Sequence, residues 1–164
     1  MAMTMTGQVV LPAGRATVWA ALNDPTILKS SIPGCQELEK VSDTEFTATT
    51  RVAVGPVKAT FKGKVSLSDI DAPNGYTISG EGQGGVAGFA KGGAKVRLDD
   101  GENGGTRLSY DVEAHVGGKL AQLGGRLISG VAKKYADEFF TNFAKALAPR
   151  EAAPVKAEHI VSDA

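Results

Sequence analysis

Few residues in this chain can do covalent or metal chemistry. One cysteine, Cys35, stands in 164 residues. It excludes an internal disulfide and fits a reducing compartment. The two histidines, His115 and His159, are scattered. With a single cysteine they make no set with plausible metal-ligand spacing. A Ser-His-Asp or Cys-His arrangement has almost nothing to be built from. Neither charge sign is in excess, with 18 Lys and Arg against 18 Asp and Glu, which argues against a nucleic-acid partner. No apolar run approaches the ~18 residues of a membrane span. The start, MAMTMTGQVV, lacks the basic and apolar regions of a signal peptide. The expectation is a cytoplasmic protein, long enough for one domain with a real core, whose membrane contact is at most peripheral.

Glycine is the abundant residue, 21 of 164, and the glycines cluster. The strongest periodic signal is the stretch 119–147, KLAQLGGRLISGVAKKYADEFFTNFAKAL, which has no proline. Leu120, Leu123, Leu127, Val131, Tyr135, Phe139, Phe143 and Leu147 recur in steps of three or four, the period of one helix face. Unbroken, this helix would run roughly 43 Å, so it must lie across something wide. Gly124, Gly125 and Gly130 sit inside it, each costing about 1 kcal/mol relative to alanine. Either the first half is loosened to open whatever lies beneath, or the helix is bent but static.

Upstream, the period is two. The segment 4–11 reads as a first strand. Pro12 then suits a helix start, and residues 13–22 carry Val18, Trp19 and Leu22 on one face. Asp24 is an N-cap candidate with Pro25 at the first helical position of a second short helix, ended by Ile32-Pro33-Gly34. From Cys35 to Val116 apolar and polar residues alternate. Phe46, Ala48, Thr50, Val52 and Val54 share a face; so do Val57 to Leu67, Tyr76 to Gly82, Ala94 to Leu98, and Leu108 to Val116. Turn signals fall at Ser42-Asp43, Gly55-Pro56, Pro73-Asn74-Gly75 and 100–105. One apolar and one charged face is the pattern of an antiparallel sheet with one wet side. The order predicts an α+β fold, with a curved seven-stranded antiparallel sheet, two short helices and a long C-terminal helix over residues 1–147. The remainder, 148–164, is rich in Ala, Pro and charge without period and reads as a disordered polar tail, either solvated or a docking peptide.

Four stretches carry a family resemblance: 18–25, VWAALNDP; 32–35, IPGC; 80–90, GEGQGGVAGFA; and 124–127, GGRL, leading to 136–140, ADEFF. Over residues 4–147 the chain resembles the carbon monoxide dehydrogenase G-subunit (CoxG) family, within the START-like, Bet v 1-type (SRPBCC) superfamily. The resemblance implies a helix-grip fold. It also implies a small accessory protein for a molybdenum hydroxylase of the carbon monoxide dehydrogenase type, involved in recruiting that enzyme to the membrane. Some members carry a C-terminal membrane segment, whereas the tail here is polar.

Gly80-Glu81-Gly82-Gln83-Gly84-Gly85 satisfies GxGxxG, with Asp99 and Asp100 about twenty residues on. A dinucleotide site needs a helix opening at the third glycine, but residues 86–93 make a poor helix and lead into another strand. A mobile hairpin loop fits better, with Val86 and Phe89 near its tip and Lys91 beside them. Such a tip suits a membrane interface, a partner protein or a lid. Lys119, Arg126, Lys133 and Lys134 make the first half of the long helix basic, either for anionic headgroups or as a solvated face. Cys35 is either a reactive thiol or a structural one. His115 alternates outward, near Glu113 and Asp111.

The inward strand faces interleave bulky residues with Ala48, Ala59, Gly63, Gly80, Gly82, Ala94 and Ala114. Either these mark bulges and close helix contacts, or volume is missing from the core. In the second case Phe61, Tyr76, Ile78, Val112, Ala114, Leu120, Leu123, Leu127 and Val131 line an apolar cavity for a lipophilic ligand. Helix-grip folds also host cyclases and hydrolases, but no acid/base constellation is visible, so a binding protein rather than an enzyme is expected. Its expected ligand is a non-covalent quinone or other lipid, linking the enzyme to the quinone pool or the inner face of the cell membrane. The alternative is a ligand-free assembly or recruitment factor acting by protein–protein contact.

Overall fold

Alternation over residues 35–116 becomes six consecutive antiparallel strands in the computed structural model, which describes residues 1–147 and 156–163. They are β2 (Cys35–Ser42), β3 (Glu45–Val54), β4 (Val57–Asp71), β5 (Gly75–Gln83), β6 (Phe89–Asp100) and β7 (Thr106–Gly117). β1 (Ala2–Leu11) returns to pair with β7, with Met3 opposite Ala114 and Val9 opposite Leu108. The helices are α1 (Arg15–Leu22), α2 (Pro25–Ser31), α3 (Lys119–Gln122) and α4 (Gly125–Leu147). The expected α+β helix-grip architecture is present.

Two expectations require correction. Composition predicts no regular structure for 148–164, yet residues 156–163 form an eighth strand, β8 (Lys156–Asp163), antiparallel to β1. The full order is β2-β3-β4-β5-β6-β7-β1-β8. A free edge of unpaired backbone groups on β1 supplies the partner that local composition could not reveal. Residues 148–155 and 164 lie outside the described residues.

The stretch 119–147 is also not one helix. Gly124 adopts φ +90°, a conformation that glycine reaches without steric cost. Its N–H donates to the Ala121 carbonyl at 3.4 Å, and its carbonyl accepts from Ile128 N–H at 3.2 Å. With the helix restarted at Gly125, the residues buried on α4 are Ile128, Phe140, Phe143 and Ala144. The inward line thus runs 128-132-136-140-144 alongside the expected 131-135-139-143. Leu127, expected inward, is 37% exposed; it lies across Gly55 in the β3–β4 turn.

Local chemistry holds the frame. Asp24 caps α2 by accepting from Thr26 N–H at 2.9 Å, with Pro25 at the first helical position. Arg15 ties α1 to two turns at one end of the sheet, donating from Nε to Asp100 Oδ1 at 2.9 Å and from Nη1 to Asn74 Oδ1 at 2.6 Å. Asn142 Nδ2 donates to the Ser31 carbonyl at 3.2 Å, fixing α2 against α4. Tyr135 on α4 reaches β3, where Ala53 N–H donates to its hydroxyl at 3.2 Å.

The apolar residues do not form one continuous core. A larger cluster at the Arg15 end contains Val9, Leu11, Val18, Leu98, Leu108, Phe140 and Phe143. A smaller one at the opposite end contains Met3, Val54, Phe61, Ala87, Val116, Leu120 and Ile128. Phe139 stacks on Phe143 at 5.6 Å and meets Phe140 edge-on at 5.1 Å, clamping the C-terminal half of α4. Ala132 packs against both clusters.

Candidate ligand-binding cavity

Between the two cores the concave face of the sheet carries a band of small side chains. The ladders place Ala48, Gly63, Gly82 and Ala90 in one row, and Gly80, Gly92 and Ala114 in the next. No register shift occurs at Gly63 or Gly80; shifts are confined to β2–β3 and to the stretch from Ser68 to Asp71. These glycines are therefore regular strand positions and not bulges. Ala132 and Ala136 bring short side chains from α4 as well. Ile78, Ala94 and Val112 face inward yet remain half-exposed, as expected where facing volume is missing.

Two adjoining lobes occupy that space. The deep lobe, about 330 Å³, lies on the side of the larger core, among Leu28, Tyr76, Val96, Tyr110, Ala136 and Phe139. The open lobe, about 490 Å³, lies over the small-residue band, reaching Phe61 and Leu120. Ile32, Val65, Ile78, Ala94 and Val112 line both. A larger hollow of about 690 Å³ lies on the convex face among Thr4, Thr6, Lys95, Asp111, Glu113 and His115. Its solvated, charged wall does not suit a lipophile.

Of the residues expected to line a cavity, Tyr76, Ile78 and Val112 line the deep lobe, and Phe61, Ile78, Val112, Ala114 and Leu120 the open one. Leu123, Leu127 and Val131 line neither. Leu123 and Val131 pack on the smaller core, and Leu127 turns outward because α4 begins anew after Gly124. Sequence reasoning missed Ile32, Leu28 and Leu38, which α2 and β2 bring over the deep lobe, and the Ala132–Ala136 step. The four-residue spacing from Ile128 through Ala132, Ala136 and Phe140 was the available signal.

Two tyrosines line the deep lobe with their rings, and its exposed wall is almost wholly apolar. Tyr76 and Tyr110 each lie opposite Val96, on either side of β6, and both are 6% exposed. Tyr110 stacks on Phe140 at 5.6 Å; burial, with the Asp137 carboxylate adding to it, pushes its hydroxyl up to about 12. Tyr76 packs its ring 5.1 Å from Trp19. Its hydroxyl makes no hydrogen bond to a described residue, and burial alone holds its pKa far above the ordinary phenol range. A buried hydroxyl left without a partner costs about 1–3 kcal/mol.

The glycine stretch is no dinucleotide loop. Gly80 to Gln83 completes β5, a single 3-10 turn (Gly85–Ala87) comes next, and β6 begins at Phe89. The turn is closed by Gly84 N–H donating to the Gly88 carbonyl at 2.8 Å. Ala87 plugs the smaller core at 3% exposure, while Val86 projects at 84%. Phe89 lays its ring over Gly117, and Lys91 lies on the convex face between Glu81 and His115. Among the described residues, Met1, Val86, Phe89 and Leu127 are the large apolar side chains exposed at this end. Cys35 is half-buried, and burial raises its thiol pKa, against smaller opposing effects of Thr50 and Lys29. That is not the environment of an activated thiolate. No helix among the described residues is long and apolar enough to cross a membrane.

A curved antiparallel sheet gripping a C-terminal helix over an apolar cavity is the START-like, Bet v 1-type fold. The chain belongs to the carbon monoxide dehydrogenase G-subunit (CoxG) family, whose model matches residues 7–148. It is similar to a conserved protein from Geobacillus kaustophilus, with 30% identity over 95% of this chain and 98% of that one, and a TM-score of 0.85. A START superfamily protein from Mycobacterium smegmatis shares the fold at 11% identity and TM-score 0.69, over 91% of this chain and 99% of that one. The ZhuI aromatase/cyclase from a Streptomyces species does so at 12% identity and TM-score 0.66, over 92% and 96%. No curated protein is a match for this chain.

Proposed function

We propose that this chain is an accessory binding protein for a molybdenum hydroxylase of the carbon monoxide dehydrogenase type. It holds a lipophilic ligand, a quinone by preference, and links the enzyme to the quinone pool at the inner face of the cell membrane. The observation that carries this reading is the unfilled space between the two cores, floored by Gly63, Gly80, Gly82, Gly92 and Ala94 and bordered by Tyr76 and Phe139. A core evolved only for stability gains from filling such space. The family supplies the enzyme class. A quinone suits the wall because it pairs a carbonyl-bearing head with an apolar body. The exposed Met1, Val86, Phe89 and Leu127, with Lys91, Lys119 and Arg126 at the same end, make a peripheral contact with the membrane or the enzyme.

Binding is favoured over catalysis because the inward register offers tyrosine hydroxyls and Thr50. Glu81 and Glu113, which border the open lobe, belong to the outward register. Trp19, the single tryptophan, reports on the deep lobe through its contact with Tyr76. Titration with a short-chain quinone should quench its fluorescence saturably. Quenching no greater than for free tryptophan would show that the cavity takes no quinone.

The exposure of Val86 favours a second reading, a ligand-free recruitment factor that docks through the 84–89 turn. Phe89→Asp with Val86→Asp should then abolish co-purification with the enzyme. Cavity-filling Ala114→Trp should leave recruitment intact in a folded protein.

A further inference from the structure

The two lobes of the cavity differ in what they offer a polar group. Leu28 and Ile32 at the α2 end, Leu38 from β2, and Phe139 and Phe140 from α4 wall the deep lobe, whose exposed surface is almost wholly apolar. The open lobe meets solvent and has Thr50, Glu81, Lys91 and Glu113 in its lining. Thr50 stands in the inward register of β3, opposite Phe61; the other three stand at the border. Ile78, Ala94 and Val112 belong to both lobes, so one molecule can run from one into the other. A ligand carbonyl placed in the deep lobe loses its water and meets no donor on the exposed wall. In the open lobe the same carbonyl keeps its access to water. A methylene chain gains in the opposite sense, because the deep lobe removes it from water more completely.

We propose that the ligand binds tail first, with an aliphatic chain in the deep lobe and its head or ring in the open lobe over Gly63, Gly82 and Gly92. This orientation rests on the cavity being a ligand site. The floor of the open lobe suits the head end in shape as well. Its glycines carry no Cβ and stand in regular ladders, which leaves a flat surface for a planar ring. The orientation narrows the ligand class. The chain is the recognised feature, so the site selects a long-chain amphiphile over a compact ring compound. The head stays at the mouth of the cavity, within reach of solvent and of a docked partner.

The test is titration of the full chain, of Ala136→Leu and of Ala114→Leu with two probes, 2-methyl-1,4-naphthoquinone and 2-dodecyl-1,4-naphthoquinone. The methyl probe is read directly or by competition against the dodecyl probe. Ala136 lines the deep lobe and not the open one, and Ala114 the open lobe and not the deep one. The unmodified chain should bind the dodecyl probe at least about a hundredfold more tightly, since each buried methylene is worth about fourfold. Ala136→Leu should weaken the dodecyl probe on the order of tenfold and leave the methyl probe unchanged. Ala114→Leu should weaken both by a similar factor. Thermal melts check folding, and Ala136→Val or Ala114→Val takes the place of a variant that does not fold. Equal affinity of the unmodified chain for the two probes would overturn the orientation while leaving the cavity a binding site. So would Ala136→Leu weakening the methyl probe as much as the dodecyl one. No effect of either variant on either probe, or failure of both probes to bind the unmodified chain, would overturn the ligand site and the orientation with it.

Discussion

Ile128 donates its backbone N–H to the Gly124 carbonyl at 3.2 Å while Gly124 itself stands at φ +90°. One residue therefore closes α3 and starts α4, and the phase of the whole gripping helix is set there. Beyond the adjoining backbone, no atom lies within 4 Å of where a Gly124 side chain would begin, and the same holds for Gly130. Space is equal at the two positions, and only the backbone differs. Gly124→Ala should destabilise the fold by about 1–2 kcal/mol. Gly130→Ala, inside α4, should stabilise it by about 0.5–1 kcal/mol. Urea unfolding of the pair checks the sign of each.

Gly84 lies against the Phe61 ring, so a Cβ there would come within 2.5 Å of it. Gly84→Ala should push Phe61 toward the open lobe and destabilise by about 1–3 kcal/mol. Adding Phe61→Leu should recover much of the loss, although Phe61→Leu alone destabilises. Such coupling is expected only of residues in contact, and a double-mutant cycle in chemical denaturation measures it.

Alkaline stability depends on Tyr110. Its folded pKa, about 12, stands above the ordinary value of 10.0. Below pH 10 the phenol is neutral in both states and its stabilising contribution is complete. Above that, the unfolded chain loses its proton first, so stability falls as pH rises from about 10 toward 12. Tyr110→Phe should flatten this fall and remove a late-ionising phenol from the ultraviolet titration.

β8 covers the outer edge of β1 through eight paired positions, from Met3 opposite Asp163 to Val10 opposite Lys156. Deleting residues 148–164 bares that edge. Exposed edges template pairing with other chains, so the shortened protein should self-associate more than the full chain in sedimentation velocity. Equal sedimentation would show that β1 needs no cover.

The strands are legible in the sequence because their physics is local. Alternation places Phe46, Ala48 and Phe61 on the inward face, and Pro73-Asn74-Gly75 marks the turn into β5. The cap at Asp24 and Pro25 is equally plain. The helix phase is not legible, since a glycine in a left-handed conformation looks in sequence like any helical glycine. That is why periodicity alone points Leu127 inward in place of Ile128. Leu28, Ile32 and Leu38 reach the deep lobe only through the packing of α2 and β2, a long-range relationship with no local pattern. β8 is hidden for the same reason: KAEHIVSD has no strong period, and its partner lies more than a hundred residues away.

Whether the space between the two cores holds a lipophilic molecule is tested most directly by organic extraction of the purified full chain, followed by mass spectrometry. The cavity-filled variant Ala94→Phe, whose side chain enters both lobes, is extracted beside it. A quinone or other lipid should be recovered from the unmodified chain and lost from a folded Ala94→Phe. No recovered lipophile, together with no quinone binding on titration, would contradict a ligand-holding role.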